Sequence, residues 1–170
     1  TMRDHLGSLE GKTVAIVGDV YHSRVARSNI YGLTTMGAKV VVAGPGTMCP
    51  PSMAHLGVEV RHSIDEVIDD ADVIMMLRIQ RERLQPGMMS TVNEYSRFYG
   101  LDMERLRRAH PDVLVMHPGP INRGVEMTPE VADGEQSVIL EQVTNGVAVR
   151  MALLYLLLSG EPMGDDEHGS

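Results

Sequence analysis

There is no tryptophan among the 170 residues of this chain, and there is one phenylalanine and one cysteine. The scarcity of aromatic platforms removes base stacking as a theme of recognition. With Cys49 alone, neither an internal disulfide nor a thiolate metal cluster can form, and the expectation is a protein of the reducing cytoplasm. Positive charge is in deficit too. Fifteen Lys and Arg stand against 23 Asp and Glu, whereas a nucleic-acid or anionic-membrane surface needs a basic excess. The N-terminus is polar and charged, unlike a signal peptide. The strongest apolar run, Val147 to Leu158, is interrupted by Arg150 and is too short to span a bilayer, so it reads as a buried helix. The 13 methionines are dispersed as core filler.

What is present is an alternation of short β-branched runs with helical patterns, the mark of a parallel sheet covered on both faces. The length fits one domain. Strands are expected at Thr13–Val17, Lys39–Ala43, Val58–Arg61 (an edge), Val73–Leu77 and Val113–Met116. Helices are expected at Ser23–Met36 with Gly37 as its stop, at Pro51–Leu56, at Asp102–Ala109, and from about Ser137 to Leu158. Ser63-Ile64-Asp65-Glu66 has capping-box spacing for one more. The segment from Arg78 to Leu101 is longer than a simple connection requires, which marks it as functional or mobile. Gly164 to Ser170 reads as a frayed polar tail. Right-handed crossovers then give a three-layer, doubly wound α/β fold of about five strands in the order 3-2-1-4-5.

In that order the switch point lies between the first and fourth strands, and three polar loops converge there: Gly18 to Arg24, Arg78 to Gln80, and His117 to Pro120. Arg78 and Gln80, two residues apart on an extended chain, project to one side and can grip a carboxylate substrate. Arg24 stands at the start of a helix, where backbone N–H groups already favour an anion. Two cationic sites across one crevice suit a dicarboxylate. Arg27, one turn on, reads as a solvated neighbour or a salt-bridge partner. Glu82 either orients the Arg78 guanidinium or is an ordinary exposed carboxylate between Arg81 and Arg83. His117 reads as a structural residue, with no carboxylate visibly beside it. In Pro118-Gly119-Pro120 the prolines remove donors, and Gly119 permits close approach of a ligand. A dinucleotide is not expected, because strand one runs into Gly18-Asp19-Val20-Tyr21-His22-Ser23 without the second glycine of G-x-G-x-x-G. There is no P-loop, no metal-ligand spacing and no nucleophile elbow, so no cofactor and no metal are expected.

Gly18-Asp19, His22-Ser23-Arg24-Val25-Ala26-Arg27-Ser28, Arg78-Ile79-Gln80-Arg81-Glu82-Arg83 and His117-Pro118-Gly119-Pro120-Ile121-Asn122-Arg123-Gly124 together resemble the aspartate carbamoyltransferases. The H-C-L-P and S-M-G motifs of the sister ornithine enzymes are not present. The resemblance implies an aspartate-binding domain over residues 1–160, followed by a flexible tail at 161–170. It implies that Arg24 holds the α-carboxylate of L-aspartate, that Arg78 holds its side-chain carboxylate, and that Gln80 and Glu82 support the site. It also implies that Gly119 and Pro120 contact carbamoyl phosphate, and that the segment after Arg78 is a mobile loop closing over substrates. The reaction implied is carbamoyl transfer to aspartate in de novo pyrimidine (UMP) biosynthesis, by a cytoplasmic homotrimer with or without regulatory chains. The carbamoyl phosphate domain of that family has no counterpart in the chain, so this half alone is expected to be inactive. In the family the last helix packs back towards that domain, which predicts an apolar patch where it is uncovered. A free-standing dicarboxylate-binding or assembly module, or a carbamoyltransferase for another amino acid, is the alternative.

Overall fold

The computed structural model describes residues 1–80 and 91–159. Glu82 and the 161–170 tail lie outside the described residues. Five strands form one parallel sheet: β1 (Thr13–Val17), β2 (Lys39–Ala43), β3 (Glu59–Arg61), β4 (Val73–Met76) and β5 (Leu114–Met116). They lie in the order β3-β2-β1-β4-β5, as expected from right-handed crossovers. The strands read as continuous apolar runs because both faces are covered. Val14, Ile16, Val40, Val42, Val73 and Met75 face one core, and Ala15, Val17, Val41, Ala43, Ile74 and Met76 face the other.

The first core is closed by α1 (Met2–Leu6) and α2 (Arg24–Thr35), with Ala26, Ile30 and Leu33 buried along the inner stripe of α2. The second is closed by α4 (Met103–Arg108) and α5 (Pro129–Ala132), through Leu106, Val131 and Ala132. Fully burying an aliphatic side chain contributes about 1.5–3 kcal/mol, so these two layers dominate stability. Asp72 ties the lower ends of β1 and β4 together, accepting from Thr13 N at 2.8 Å and from Lys12 Nζ at 2.9 Å. Partial burial works against its charge, but these donors prevail and hold its carboxyl below the usual range. On its outer side β5 is flanked by 136–138: Val115 N donates to Gln136 O, and Val138 N to Val115 O. No edge is left open there.

Three expectations are corrected. The Ser63 box does not start a helix. The Ser63 hydroxyl accepts from Asp65 N, and a single 3₁₀ turn, Ile64–Glu66, follows. Asp65 is drawn to Arg105 and Arg108 on α4, while Ile64 and Ile68 are pulled into the core. The short helix expected at Pro51–Leu56 is present over those residues, in 3₁₀ geometry. Within the long segment lies α3 (Val92–Tyr99), capped by Thr91 accepting from Glu94 N, and α5 follows Thr128-Pro129. Finally, the last helix, α6 (Ile139–Ser159), is 21 residues long and exposed along nearly all its length. Its length and hydropathy alone would suffice to cross a membrane. Its root, however, is built into the sheet: Ile139 is buried, and the Gln142 carboxamide accepts from His117 N at 3.0 Å. Glu141, Asn145 and Arg150 also interrupt its apolar surface.

Candidate functional site

At the upper ends of β1, β4 and β5 opens a crevice of about 350 Å³. Asp19, His22, Ser23, Arg24 and Val25 enter it after β1, Arg78 and Gln80 after β4, and Pro118 and Gly119 after β5. The three loops therefore meet where the order of the sheet reverses. A second hollow of about 360 Å³ near α5 and α6 is lined largely by Ile121, Val138, Ile139 and Leu140. Its charged pair, Arg123 and Asp133, is already mutually satisfied at 2.6 and 2.8 Å.

Each cation is placed by local structure. Ser23 caps α2, its hydroxyl accepting from Ala26 N at 3.1 Å, so that Arg24 is the first helical residue and is exposed to the crevice. The guanidinium and the α2 N-terminus add on the same side. Arg78 is half-buried, and its Nε is buried with no hydrogen-bond partner among the described residues. A buried charged donor held open in this way is ready to take an oxyanion. Between Arg78 and Gln80, Ile79 points the other way into a small core with Met48, Tyr95 and Val125, and its burial is what fixes the alternation. Arg27 stays outside the crevice. It is exposed, donates to Tyr21 O at 3.0 Å and lies 5.9 Å over the Tyr21 ring.

Asp19, only 8% exposed, accepts from both the backbone N–H of His22 (3.2 Å) and its Nδ1 (2.8 Å). The imidazole is thus held at the crevice wall. Gly119 has φ +66, and an added Cβ would meet nothing within 4 Å, so the face of this turn is open. Pro120 is exposed but does not line the crevice, whereas Pro118 does.

His117 does have a carboxylate beside it, contrary to expectation. Glu126 lies 3.9 Å from His117 Nε2, and both side chains are fully buried. Glu126 accepts from Ile79 N (2.8 Å), Asn122 Nδ2 (2.6 Å) and Asn122 N (2.7 Å), binding the end of β4 to the loop after β5. Burial, and then the Arg78 charge, push the His117 imidazole down to about 4, so it is neutral at ordinary pH. Tyr95 is also fully buried, with its hydroxyl unpartnered among the described residues. Burial, reinforced by Glu126 and Asp19, drives its pKa sharply upward. The sequence offered one signal for Glu126, a single carboxylate between two apolar residues in Val125-Glu126-Met127. Among the described residues no three His, Cys, Asp or Glu side chains come together as metal ligands.

Residues 10–157 match the profile of the aspartate/ornithine carbamoyltransferase Asp/Orn binding domain. The chain is 64% identical over 157 residues to the aspartate carbamoyltransferase catalytic subunit of Syntrophus aciditrophicus (strain SB), covering 92% of this chain and 51% of that one. It spans about half the length of the curated relatives it matches. Among solved structures it is similar to the ornithine carbamoyltransferase of Pyrococcus furiosus, with a TM-score of 0.78 at 28% identity over 94% of this chain and 54% of that one. It is also similar to the aspartate transcarbamoylase of Trypanosoma cruzi in complex with aspartate and phosphate, with a TM-score of 0.71 at 26% identity over 91% of this chain and 50% of that one. The sheet order, the crevice at its switch point and these likenesses agree, and the chain belongs to the aspartate/ornithine carbamoyltransferase family, whose Asp/Orn binding domain it matches.

Proposed function

We propose that this chain is the amino-acid-binding side of an aspartate carbamoyltransferase. The observation that carries the reading is the meeting of Arg24 and Arg78 in one crevice at the sheet's switch point. Two guanidiniums there suit the two carboxylates of L-aspartate, whereas the cationic side chain of ornithine would meet like charge. In this reading Arg24 takes the α-carboxylate and Arg78 the side-chain carboxylate, with Gln80 beside it. Glu82, outside the described residues, is assigned to orienting Arg78. Gly119, with Pro118 beside it in the crevice, takes the carbamoyl end of carbamoyl phosphate, while Pro120 lies outside the crevice. The strong likeness to catalytic subunits of aspartate carbamoyltransferases supports the choice of amino acid.

The reaction that follows is attack of the neutral aspartate amine on the carbamoyl carbon. A C–N bond forms, the C–O bond to phosphorus breaks with its electron pair leaving on phosphate, and the amine loses one proton. No covalent enzyme intermediate is needed, so the protein's share is orientation and charge stabilisation. The described crevice cradles the amino acid and offers no phosphate-binding loop. The carbamoyl phosphate side is therefore assigned to a partner domain, and the chain assayed alone is expected to form no carbamoyl-aspartate. A homotrimeric assembly and a cytoplasmic setting belong to the same proposal. The buried Cys49 thiol, pushed up to about 11 by desolvation, suits a protein that makes no use of thiol chemistry.

The test is titration with succinate, a non-reactive dicarboxylate, in the presence of carbamoyl phosphate and the partner domain. Arg78→Ala should weaken succinate binding by on the order of 2–5 kcal/mol, the cost of losing a charge-assisted pair. Arg78→Lys should not restore it, because an ammonium cannot reproduce the planar two-pronged grip. Arg24→Ala should act similarly, and Arg27→Ala should be mild. Unchanged succinate affinity in Arg78→Ala would remove that residue from the site.

A further inference from the structure

Two of the side chains that line the crevice, Asp19 and His22, are not needed to hold carboxylates. They form a dyad. The largely buried Asp19 accepts at one oxygen, Oδ1, from both His22 Nδ1 and the His22 backbone N–H. A carboxylate only accepts, so Nδ1 carries the proton of the neutral ring and Nε2 keeps its lone pair. Nε2 makes no hydrogen bond among the described residues, and the side chain is 35% exposed. The Tyr21 ring meets the imidazole edge-on at 5.0 Å and fixes it from a second side. The charged groups around the imidazole are Asp19 from its own loop, Arg24 from α2 and Arg78 after β4, with Arg27 beyond the Tyr21 ring. Pro118 and Gly119, from the turn after β5, add no charge. The guanidiniums of Arg24 and Arg78 disfavour a proton on the ring until a dicarboxylate pairs with them. A base placed there gains proton affinity as the substrate binds.

We propose that His22 is the catalytic base of the crevice, taking at Nε2 the proton that the amine of the amino acid sheds, with Asp19 as its positioning residue. Resting on the proposed carbamoyltransferase reading, the inference gives the third charged group of aspartate a partner. Two cations meet its two carboxylates, and one carboxylate-backed base meets its amine. In the step, the lone pair of the amine nitrogen forms the C–N bond and its N–H proton passes to His22 Nε2. The C–O bond to phosphorus breaks with its electron pair leaving on phosphate. Asp19 offsets the charge of the imidazolium that forms, and the exposed edge of the ring then returns the proton to solvent.

Two measurements test this. The first uses the chain alone: long-range ¹H–¹⁵N correlation spectra of the histidines at neutral to alkaline pH. A proton on His22 Nδ1 and a bare Nε2 are expected, and the reverse tautomer overturns the proposal. The second uses the chain assembled with its partner domain, and compares aspartate with succinate, which has both carboxylates and no amine. In the unaltered assembly kcat should fall as pH drops and His22 takes a proton from solvent. His22→Gln should abolish that acid limb and lower kcat about 10²–10⁴-fold, the range for a general base, while succinate affinity stays within about threefold. Asp19→Asn still accepts from Nδ1 but cannot offset the imidazolium charge, so it too should lose kcat and keep succinate. A merely structural role predicts that succinate affinity falls along with kcat and that the acid limb persists, and either result overturns the proposal. Unchanged kcat in His22→Gln also overturns it and leaves the proton to the departing phosphate. If the unaltered assembly forms no carbamoyl-aspartate, the carbamoyltransferase reading falls and this step with it, whereas turnover that His22→Gln does not impair removes this step alone.

Discussion

Glu126 is the residue on which the two sides of the crevice depend, and its substitution separates acceptor capacity from shape. It is fully buried and accepts from Ile79 N, Asn122 N and Asn122 Nδ2. Glu126→Gln keeps the volume but turns one acceptor into a donor, which must then face an N–H or leave one unmade. We expect a loss of about 1–3 kcal/mol in denaturant unfolding, the penalty for an unsatisfied buried group. Weaker succinate binding should accompany it, since the Arg78-Ile79-Gln80 backbone is released. A fully stable variant would show that the loop after β5 holds itself. The neutral His117 adds a pH dependence. Its imidazole titrates near 6.5 when unfolded and at about 4 when folded. Between those values the unfolded chain binds a proton that the folded chain does not, so stability is complete above pH 6.5 and falls as pH drops towards 4. The contribution is on the order of 3 kcal/mol and should disappear in His117→Asn. The placement of Arg24 at a helix start, and of Arg78 and Gln80 just past a strand end, was legible in the sequence, because residue type and position coincide. Glu126 was not, since its partners are backbone amides 47 and 4 residues away.

At the scale of elements, the mouth of the crevice depends on two glycines. Gly18 N donates to Ala43 O, which carries the β1–β2 pairing one step past the strands. A Cβ on Gly44 would lie 2.4 Å from the Gly18 carbonyl oxygen, so backbone must move to admit it. At Gly18, with φ +130, a Cβ would come within 3.1 Å of both Leu77 Cβ and the Tyr95 hydroxyl. Gly44→Ala is therefore expected to cost about 1–3 kcal/mol, the range for overpacking a close-packed site, with a lower Tm as the readout. A neutral substitution would mean that the β1–β2 end gives way freely. On the far face, Arg105 gathers the carbonyls of Gly100, Arg97 and Phe98 together with the Asp65 carboxylate. It pins the end of α3 and the turn before β4 onto α4. Strands were legible because period and composition agree over runs buried on both faces. The Ser63 box misled for a local reason: its spacing was right, but Asp65 and Ile64 had stronger engagements elsewhere. The helix α3 carries a readable Thr91-x-x-Glu94 signal, but it lies inside a long stretch, 78–101, that Pro86-Gly87 makes look like loop.

For the whole molecule, the sheet order was legible because handedness and short connections leave few alternatives. The fate of α6 was legible only in part, because an apolar helix declares a need for burial without declaring what buries it. Among the described residues nothing covers it beyond its root. Leu140 is 84% exposed and Leu158 81%, and Val147, Met151, Leu154 and Tyr155 are exposed between them. A 21-residue helix extends about 31 Å, long enough to present a continuous apolar stripe beyond the domain that anchors its root. Patches of this kind mark interaction surfaces or aggregation sites. The chain in isolation is therefore expected to self-associate with rising concentration in sedimentation or light scattering, and to enhance the fluorescence of an apolar dye. Replacing Val147, Leu154 and Leu158, which share one stripe at helical spacing, with lysine should suppress both signals. It should leave the stability of the sheet within about 0.5 kcal/mol, because these side chains bury no surface against it. A clean monomer that binds no dye at high concentration would mean that α6 folds back onto its own domain in solution, and the stripe would then be part of the core.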